Sequence, residues 1–236
     1  MLDIPEAEII RKRKSIRKYQ TDPLDADTQE KVREQIMKIK PLYPSVGVSI
    51  DMVEKTKGMF GIKAPHYLVF RSKDAEGALE NIGFIGQQMD LFFSAAGIGA
   101  CWLGASKPAN DDASALPCVI CMAYGKPAEP LHRGLSAFKR KAITEISEGE
   151  DERLEAARLA PSAMNAQNWF FASENGEIHC YRKKANPLVG FIYDKLHSID
   201  MGIALCHIAA ESDEFSFAKE SGAPERQGYV YMGTAK

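Results

Sequence analysis

Two stretches of this chain are too apolar to face water on any side, so any fold it adopts must bury both. In the first, residues 76–96, Leu79, Ile82, Ile85, Met89, Phe92 and Phe93 recur at helical spacing, which predicts a long and mostly buried helix ended by Gly97. The second, residues 197–210, contains Ile199, Met201, Ile203, Leu205 and Ile208 and predicts another. After each comes a loop and then a hydrophobic strand ending on glycine, at Tyr124-Gly125 and at Met232-Gly233. That repeated order suggests a duplicated unit. Two copies are too few for a solenoid, and the expected arrangement is two halves face to face, with helices 79–96 and 197–210 packed on each other at the core.

The remaining elements fit between these. A first helix over residues 5–20 ends in a basic knot, Arg11-Lys-Arg-Lys-Ser-Ile-Arg-Lys18, and a second, opened by Asp27-Thr-Gln-Glu30, runs to Ile39. Residues 46–63 read as a glycine- and lysine-rich loop leading to a strand at Tyr67-Leu-Val-Phe70. Pro117-Cys-Val-Ile-Cys-Met-Ala-Tyr124 is a continuous apolar run of the central-strand type. In the second half come a helix ending at Ala160, strands at 169–172 and 178–181, and a last strand at 229–232. The fold class expected is α+β, with a mainly antiparallel central sheet flanked by helices. Its two pseudo-symmetric halves, residues 1–125 and 126–236, join near 126–140.

A net charge of −2 and a pI near 6.2 give no reason to expect nucleic acid or an anionic membrane as partner. No window approaches the ~20 apolar residues of a membrane span, and Met-Leu-Asp-Ile-Pro-Glu-Ala-Glu lacks the basic and apolar parts of a secretory signal. The expectation is a cytoplasmic protein, and an odd set of five cysteines agrees with reduced thiols. Cys118-x-x-Cys121 lies inside an apolar strand with no second Cys or His pair at ligand spacing, which argues for buried structural cysteine over zinc or redox chemistry. The five histidines are scattered singly, and they define no nucleophile–base constellation. With so little catalytic equipment of its own, the chain points to a cofactor that carries the chemistry.

Four stretches could hold such a group. The basic knot sets guanidinium groups beside Ser15, a combination that forms charge-assisted bonds to phosphate, and Phe138-Lys-Arg-Lys141 could reach the same anion. Gly97-Ile-Gly-Ala-Cys-Trp-Leu-Gly104 superficially looks like a dinucleotide fingerprint, but it follows a helix and has Trp102 where the third glycine belongs. Its glycines nonetheless allow close approach to a flat ligand, with Trp102 and Leu103 as apolar cover. In Ala160-Pro-Ser-Ala-Met-Asn-Ala-Gln-Asn-Trp169, Pro161 ends a helix and opens an extended loop whose uncharged donors and acceptors suit a neutral polar ring.

Taken together these four stretches resemble the FMN-dependent nitroreductase family, over nearly the whole chain. The resemblance implies an FMN-dependent oxidoreductase that takes hydride from NADH or NADPH and passes electrons to a small acceptor such as a nitroaromatic or quinone. Carried over by position, it implies that Arg13, Lys14, Ser15 and Arg17, with Lys139 and Arg140, hold the phosphate and ribityl chain. Trp102, Leu103 and Gly104 would lie near the flavin ring, and Pro161, Ser162, Asn165 and Gln167 along its opposite edge. One departure is informative. Ordinary members carry the proline-serine-asparagine loop soon after the first helix and build the site across a homodimer; here the loop stands only in the second half, and Lys40-Pro-Leu-Tyr-Pro-Ser45 lacks its amides. The second half in turn lacks a basic knot and a glycine-tryptophan loop. The resemblance therefore implies a fused pseudo-dimer, acting as a monomer, that keeps one FMN site of two. The other reading is a flavin-binding carrier or redox-sensing module without turnover.

Overall fold

The structure, a computed structural model, describes residues 7–58, 61–112, 115–184 and 190–236. Met59 and Phe60 of the glycine- and lysine-rich stretch, and residues 5 and 6 of the expected first helix, lie outside them. The elements of the first half are α1 (Ala7–Ile10), α2 (Ala26–Lys38), β1 (Val48–Val53), β2 (Thr56–Gly58), β3 (His66–Ser72), α3 (Ala78–Ala95), β4 (Gly99–Leu103), β5 (Ser106–Pro108) and β6 (Cys118–Gly125). Those of the second are α4 (Ile143–Ile146), β7 (Ser147–Glu148), α5 (Arg153–Leu159), β8 (Trp169–Glu174), β9 (Glu177–Lys183), α6 (Gly190–Ala210), β10 (Phe217–Ala218) and β11 (Tyr229–Ala235).

The fold is α+β, with antiparallel pairing throughout apart from the short β7, which runs parallel to β8. The strands form two main sheets where the sequence suggested one. One has the order β1-β3-β6-β4 and the other β10-β11-β9-β8-β7. The division has a simple cause: each half closes a sheet over its own long helix, because each helix offers apolar residues on more than one face. Each long helix stands between strands of its own sheet, with β1 and β3 before α3 and β4 and β6 after it, and with β7, β8 and β9 before α6 and β10 and β11 after it. β2 and β5 pair separately, and β1 and β2 occupy part of the stretch expected to be loop.

α3 and α6 pack directly on each other, as their apolarity requires. They approach closely enough that a side chain at the crossing is excluded. A Cβ on Gly83 would lie 2.1 Å from the Ile199 carbonyl oxygen, and one on Gly202 would lie 2.0 Å from that of Glu80. The contacts are reciprocal, since Gly83 also faces Ile203 N and Gly202 also faces Phe84 N.

Each helix also pins the loop entering its own half's sheet through a buried side chain placed two residues before its glycine. Asn81 Oδ1 accepts from Leu42 N (2.8 Å) and Tyr43 N (3.1 Å), and Asn81 Nδ2 donates to the carbonyls of Tyr43 and Val46. Asp200 Oδ1 accepts from Ala163 N at 2.9 Å. No helix among the described residues is long and apolar enough to cross a membrane.

Candidate functional site

The basic knot is not the end of a helix. α1 stops at Ile10, and residues 12–20 run extended beside 126–133: Arg133 N donates to Lys12 O, Ala128 N to Lys18 O and Gln20 N to Lys126 O. Helical periodicity loses here to tertiary pairing. Ile16 is fully buried and its N–H is taken by Ala100 O, while Glu129 Oε1 accepts from Arg17 N (2.8 Å) and Lys18 N (3.2 Å). The Arg17 N–H, more than any other contact, holds the Glu129 carboxyl below its usual range. The linker between the halves is thereby fixed along the basic segment, and the two basic clusters come to face one cleft.

That cleft has a volume of about 600 Å³ and is lined by Arg13, Lys14, Ser15, Arg17, Glu129, Arg133, Ala137, Lys139, Arg140, Pro161, Ser162, Met164 and Asn165. The basic knot, the second basic cluster and the proline-serine-asparagine loop therefore meet, although they are far apart in sequence. Arg133 is a member that local sequence reasoning misses. A lone arginine in a linker carries no spacing signal, and only the long-range alignment of 126–133 with 12–20 puts it here.

The guanidinium groups are crowded and poorly compensated. Arg133 lies 3.6 Å above the Phe138 ring and Arg140 lies 5.6 Å from it. Burial, reinforced by Arg133 and Arg13, pushes Arg140 down to about 9. Burial with Arg13 and Arg17 pushes Arg133 down to about 10. Both remain charged at neutral pH, partly buried and next to other cations. Among the described residues Glu129 is the one carboxylate lining the cleft, and it is already engaged by Lys14 Nζ (3.3 Å) and the backbone. Arg140 Nε is buried with no hydrogen-bond partner.

The loop from Ala160 to Asn168 is held under strain. Met164, Asn165 and Gln167 all have positive φ, at 52°, 58° and 49°. For residues other than glycine this costs of order 1–3 kcal/mol each and persists only where surroundings impose it. Those surroundings are the second basic cluster. Asn165 Oδ1 accepts from Arg140, and Asn165 Nδ2 donates to Lys139 O at 2.6 Å. Gln167, buried, accepts from Lys141 N at 2.8 Å and donates to Asn165 O at 3.0 Å, while its own N–H donates to Ser162 Oγ. Gln167 thus stitches the loop from behind and does not line the cleft. Met164 is 87% exposed at the rim.

Trp102, Leu103 and Gly104 also lie off the cleft lining. The glycine-tryptophan stretch is strand β4, whose alternation turns Trp102 onto α3, where it stacks with Phe70 (5.6 Å) and donates from Nε1 to Gln87 Oε1 (3.2 Å). Leu103 is buried on the opposite face of the sheet, and Gly104 sits against Leu196.

Trp102 is part of a polar network that reaches Arg13. Gln87 Nε2 donates to Asp90 Oδ2 and to His207 Nε2, both at 3.0 Å. His207 must therefore accept at Nε2 and donate from Nδ1 to Ala156 O (2.9 Å), a neutral tautomer consistent with burial pushing it down to about 3. Asp90 pairs with Arg13 Nε at 2.7 Å, both side chains buried. Burial pushes the Asp90 carboxyl up, against the pull of Arg13 and Gln87. The Arg13 side chain is thus anchored into the core from the edge of the cleft.

A solved structure, a putative nitroreductase from Thermotoga maritima, superposes with a TM-score of 0.67 at 21% identity, over 97% of this chain and 90% of that one. A nitroreductase family protein from Clostridium difficile aligns with 60% of this chain and 96% of its own (TM-score 0.49, 14% identity). An FMN-dependent nitroreductase from the same species aligns with 52% of this chain and 87% of its own (TM-score 0.42, 18% identity). A search of curated proteins returned no match. The first of these likenesses gives the fold. The family model described as "Putative TM nitroreductase" matches residues 6–212, and the chain belongs to that nitroreductase family.

Proposed function

We propose that this chain is an FMN-dependent oxidoreductase that passes electrons from NAD(P)H to a small aromatic or quinone-like acceptor. The observation that carries the reading is the convergence of Arg13, Lys14, Arg17, Arg133, Lys139 and Arg140 on one cleft where, among the described residues, the one carboxylate is already engaged. Its volume falls within the roughly 300–1,000 Å³ typical of small-molecule sites. An orphaned, buried Arg140 Nε is the donor a phosphate oxygen would satisfy. The residues present therefore fit a phosphorylated ligand with a neutral polar ring.

In this reading Arg17, Arg133, Lys139 and Arg140, with Lys14 and Ser15, hold the phosphate and ribityl chain. Ser162 and Asn165 present hydroxyl and amide groups to the edge of the ring system, and Pro161 packs beside it. Gln167 holds the loop from behind, and Trp102 reaches Arg13 through Gln87 and Asp90. FMN, when bound, supplies the two-electron chemistry between nicotinamide and acceptor. Among the described residues the lining carries no histidine and its one carboxylate is engaged, so the protein contributes placement and electrostatics rather than a general acid or base. The setting we infer is cytoplasmic, with the single chain doing what two subunits do in ordinary members.

The test is to add FMN to purified protein, desalt, and record the visible spectrum, then follow NAD(P)H oxidation with a nitroaromatic or quinone acceptor. Retained flavin with turnover supports the enzyme. Retained flavin without turnover leaves a flavin carrier, and the absence of any retained flavin would sink the reading.

A further inference from the structure

Outside the cleft, Cys118 and Cys121 stand out, because a regular strand should not bring them together. Residues three apart in a strand point to opposite faces. β6 is not regular: its register against β3 pairs Cys121 with Val69 and Ile120 with Phe70, but then Cys118 with Arg71, so Val119 is an extra residue. This is a β-bulge. Val69 and Arg71 lie on the same face of β3, and their partners Cys121 and Cys118 therefore share that face. The two sulfurs are 4.0 Å apart.

The pair is asymmetric in the way a reactive dithiol requires. Cys118 is partly exposed and Cys121 is buried in the small apolar cluster with Tyr67, Val69 and Leu103. The Cys121 thiol has one proton and two acceptors in reach, the Cys118 sulfur and Ser106 O at 3.3 Å. Turned to Cys118, it stabilises a Cys118 thiolate and lowers that thiol; Arg71, directly across the strand pair, adds to this against burial and the charges of its own partners Asp111 and Asp51, while Cys121 is held protonated. Cys101, Cys180 and Cys206 are buried, and burial pushes each thiol up, away from reactivity. No residue lining the cleft belongs to the cluster around this pair.

We propose that Cys118 and Cys121 form a redox-active dithiol that exchanges with low-molecular-weight disulfides. The Cys118 thiolate attacks one sulfur of the small disulfide, forming a mixed disulfide and releasing one thiolate. Cys121 then gives up its proton and attacks the Cys118 sulfur, closing the Cys118–Cys121 bond and releasing the second small thiol. Two electrons pass from the two protein thiols to the small disulfide, which leaves as two thiols. Closure asks the sulfurs to move from 4.0 Å to about 2.0 Å, within side-chain rotation and flexing of the bulge.

The experiment is to treat the full-length protein with oxidised glutathione, block remaining thiols with iodoacetamide under denaturing conditions, and map the products by peptide mass spectrometry. The expected result is a Cys118–Cys121 disulfide in the wild-type chain, reversed by dithiothreitol, with the other three cysteines alkylated. Cys121→Ser should stop at glutathionylated Cys118. A wild-type chain that stops there as well, or one in which Cys118 reacts no faster than the buried cysteines, would overturn the proposal. The wild-type readout decides the matter even if a variant fails to fold.

Discussion

At the scale of single residues, the cleft's arginines look alike in sequence but answer to different physics. Arg13 is paired with Asp90 inside the core, so Arg13→Ala leaves a buried carboxyl without its partner. Breaking such a pair costs about 3–5 kcal/mol, and we expect a loss of that size in chemical denaturation, partly restored by adding Asp90→Asn. Arg133 faces the cleft among like charges, held by the Phe138 ring and by its Nε donating to Arg13 O (3.1 Å), and Arg133→Ala should cost less stability than Arg13→Ala while weakening FMN binding by about 1–3 kcal/mol, read by flavin fluorescence titration. A stable Arg13→Ala protein would mean that the Asp90 pair is dispensable. Asp200 answers to pH instead. Burial, only partly offset by the Ala163 N–H, raises its carboxyl from 3.8 to about 7. The folded chain then holds a proton that the unfolded chain sheds above ~4, so this group's contribution is fully present below ~4 and is lost as pH rises through about 7. Asp200→Asn should remove that dependence and stabilise the protein at pH 8 by up to roughly 4 kcal/mol, with the gain shrinking toward pH 5. Asn81, at the matching place in the first half, already does the same task with an amide. Denaturation midpoints of mutant and wild type that run parallel from pH 5 to 8 would overturn this assignment.

At the scale of elements, what the sequence made legible followed from burial, and what it hid followed from long-range pairing. α3 and α6 are readable because apolar residues recur at helical spacing, and their mutual packing follows from having no polar face to give to water. The basic knot misleads, because helix-forming residues at 11–18 are overruled by backbone bonds to 126–133 that no local window contains. β4 misleads differently: the glycines around it suggest a loop, yet Gly99 lies in the strand and lets Ile16 pack against it, and Trp102 is turned inward by strand alternation. The glycines of the helix crossing carry the clearest element-scale prediction. Gly202→Ala would set a methyl group 2.0 Å from the Glu80 carbonyl oxygen, a backbone atom that cannot step aside. Overpacking typically costs 1–3 kcal/mol, and since backbone meets backbone here we expect about 3 kcal/mol or more, with Gly83→Ala matching it. A pair of unequal effects would mean that one helix can shift while the other cannot.

At the scale of the whole molecule, the proposed reading has to account for one ligand in a chain with two sheets, each carried on its own long helix. Both halves present a loop pinned by a buried side chain of their long helix, but the surroundings of the two loops differ in charge. Around the second-half loop stand the basic segment and the linker, each contributing arginine. Near the first-half loop, Pro41 and Leu42 border a crevice of about 170 Å³ with Phe84, Phe215 and Phe217, where Lys40 is the one cation and no arginine stands among the described lining residues. Phe84 and Phe215 stack at 5.8 Å across that space. A phosphate placed there would lose its water and meet no guanidinium group, whereas in the cleft it meets several, and the difference of even two charge-assisted bonds is about 3–6 kcal/mol. That is roughly a hundredfold or more in affinity. The chain should therefore bind FMN at one site, with calorimetric titration saturating near one flavin per chain at ligand concentrations well above the dissociation constant. Binding should also weaken as salt is raised, because the site is built from cations in partial contact with solvent. Saturation near two per chain would mean that the crevice between Leu42 and Phe215 opens to admit a second flavin, and the correspondence between the halves would then extend to their ligands.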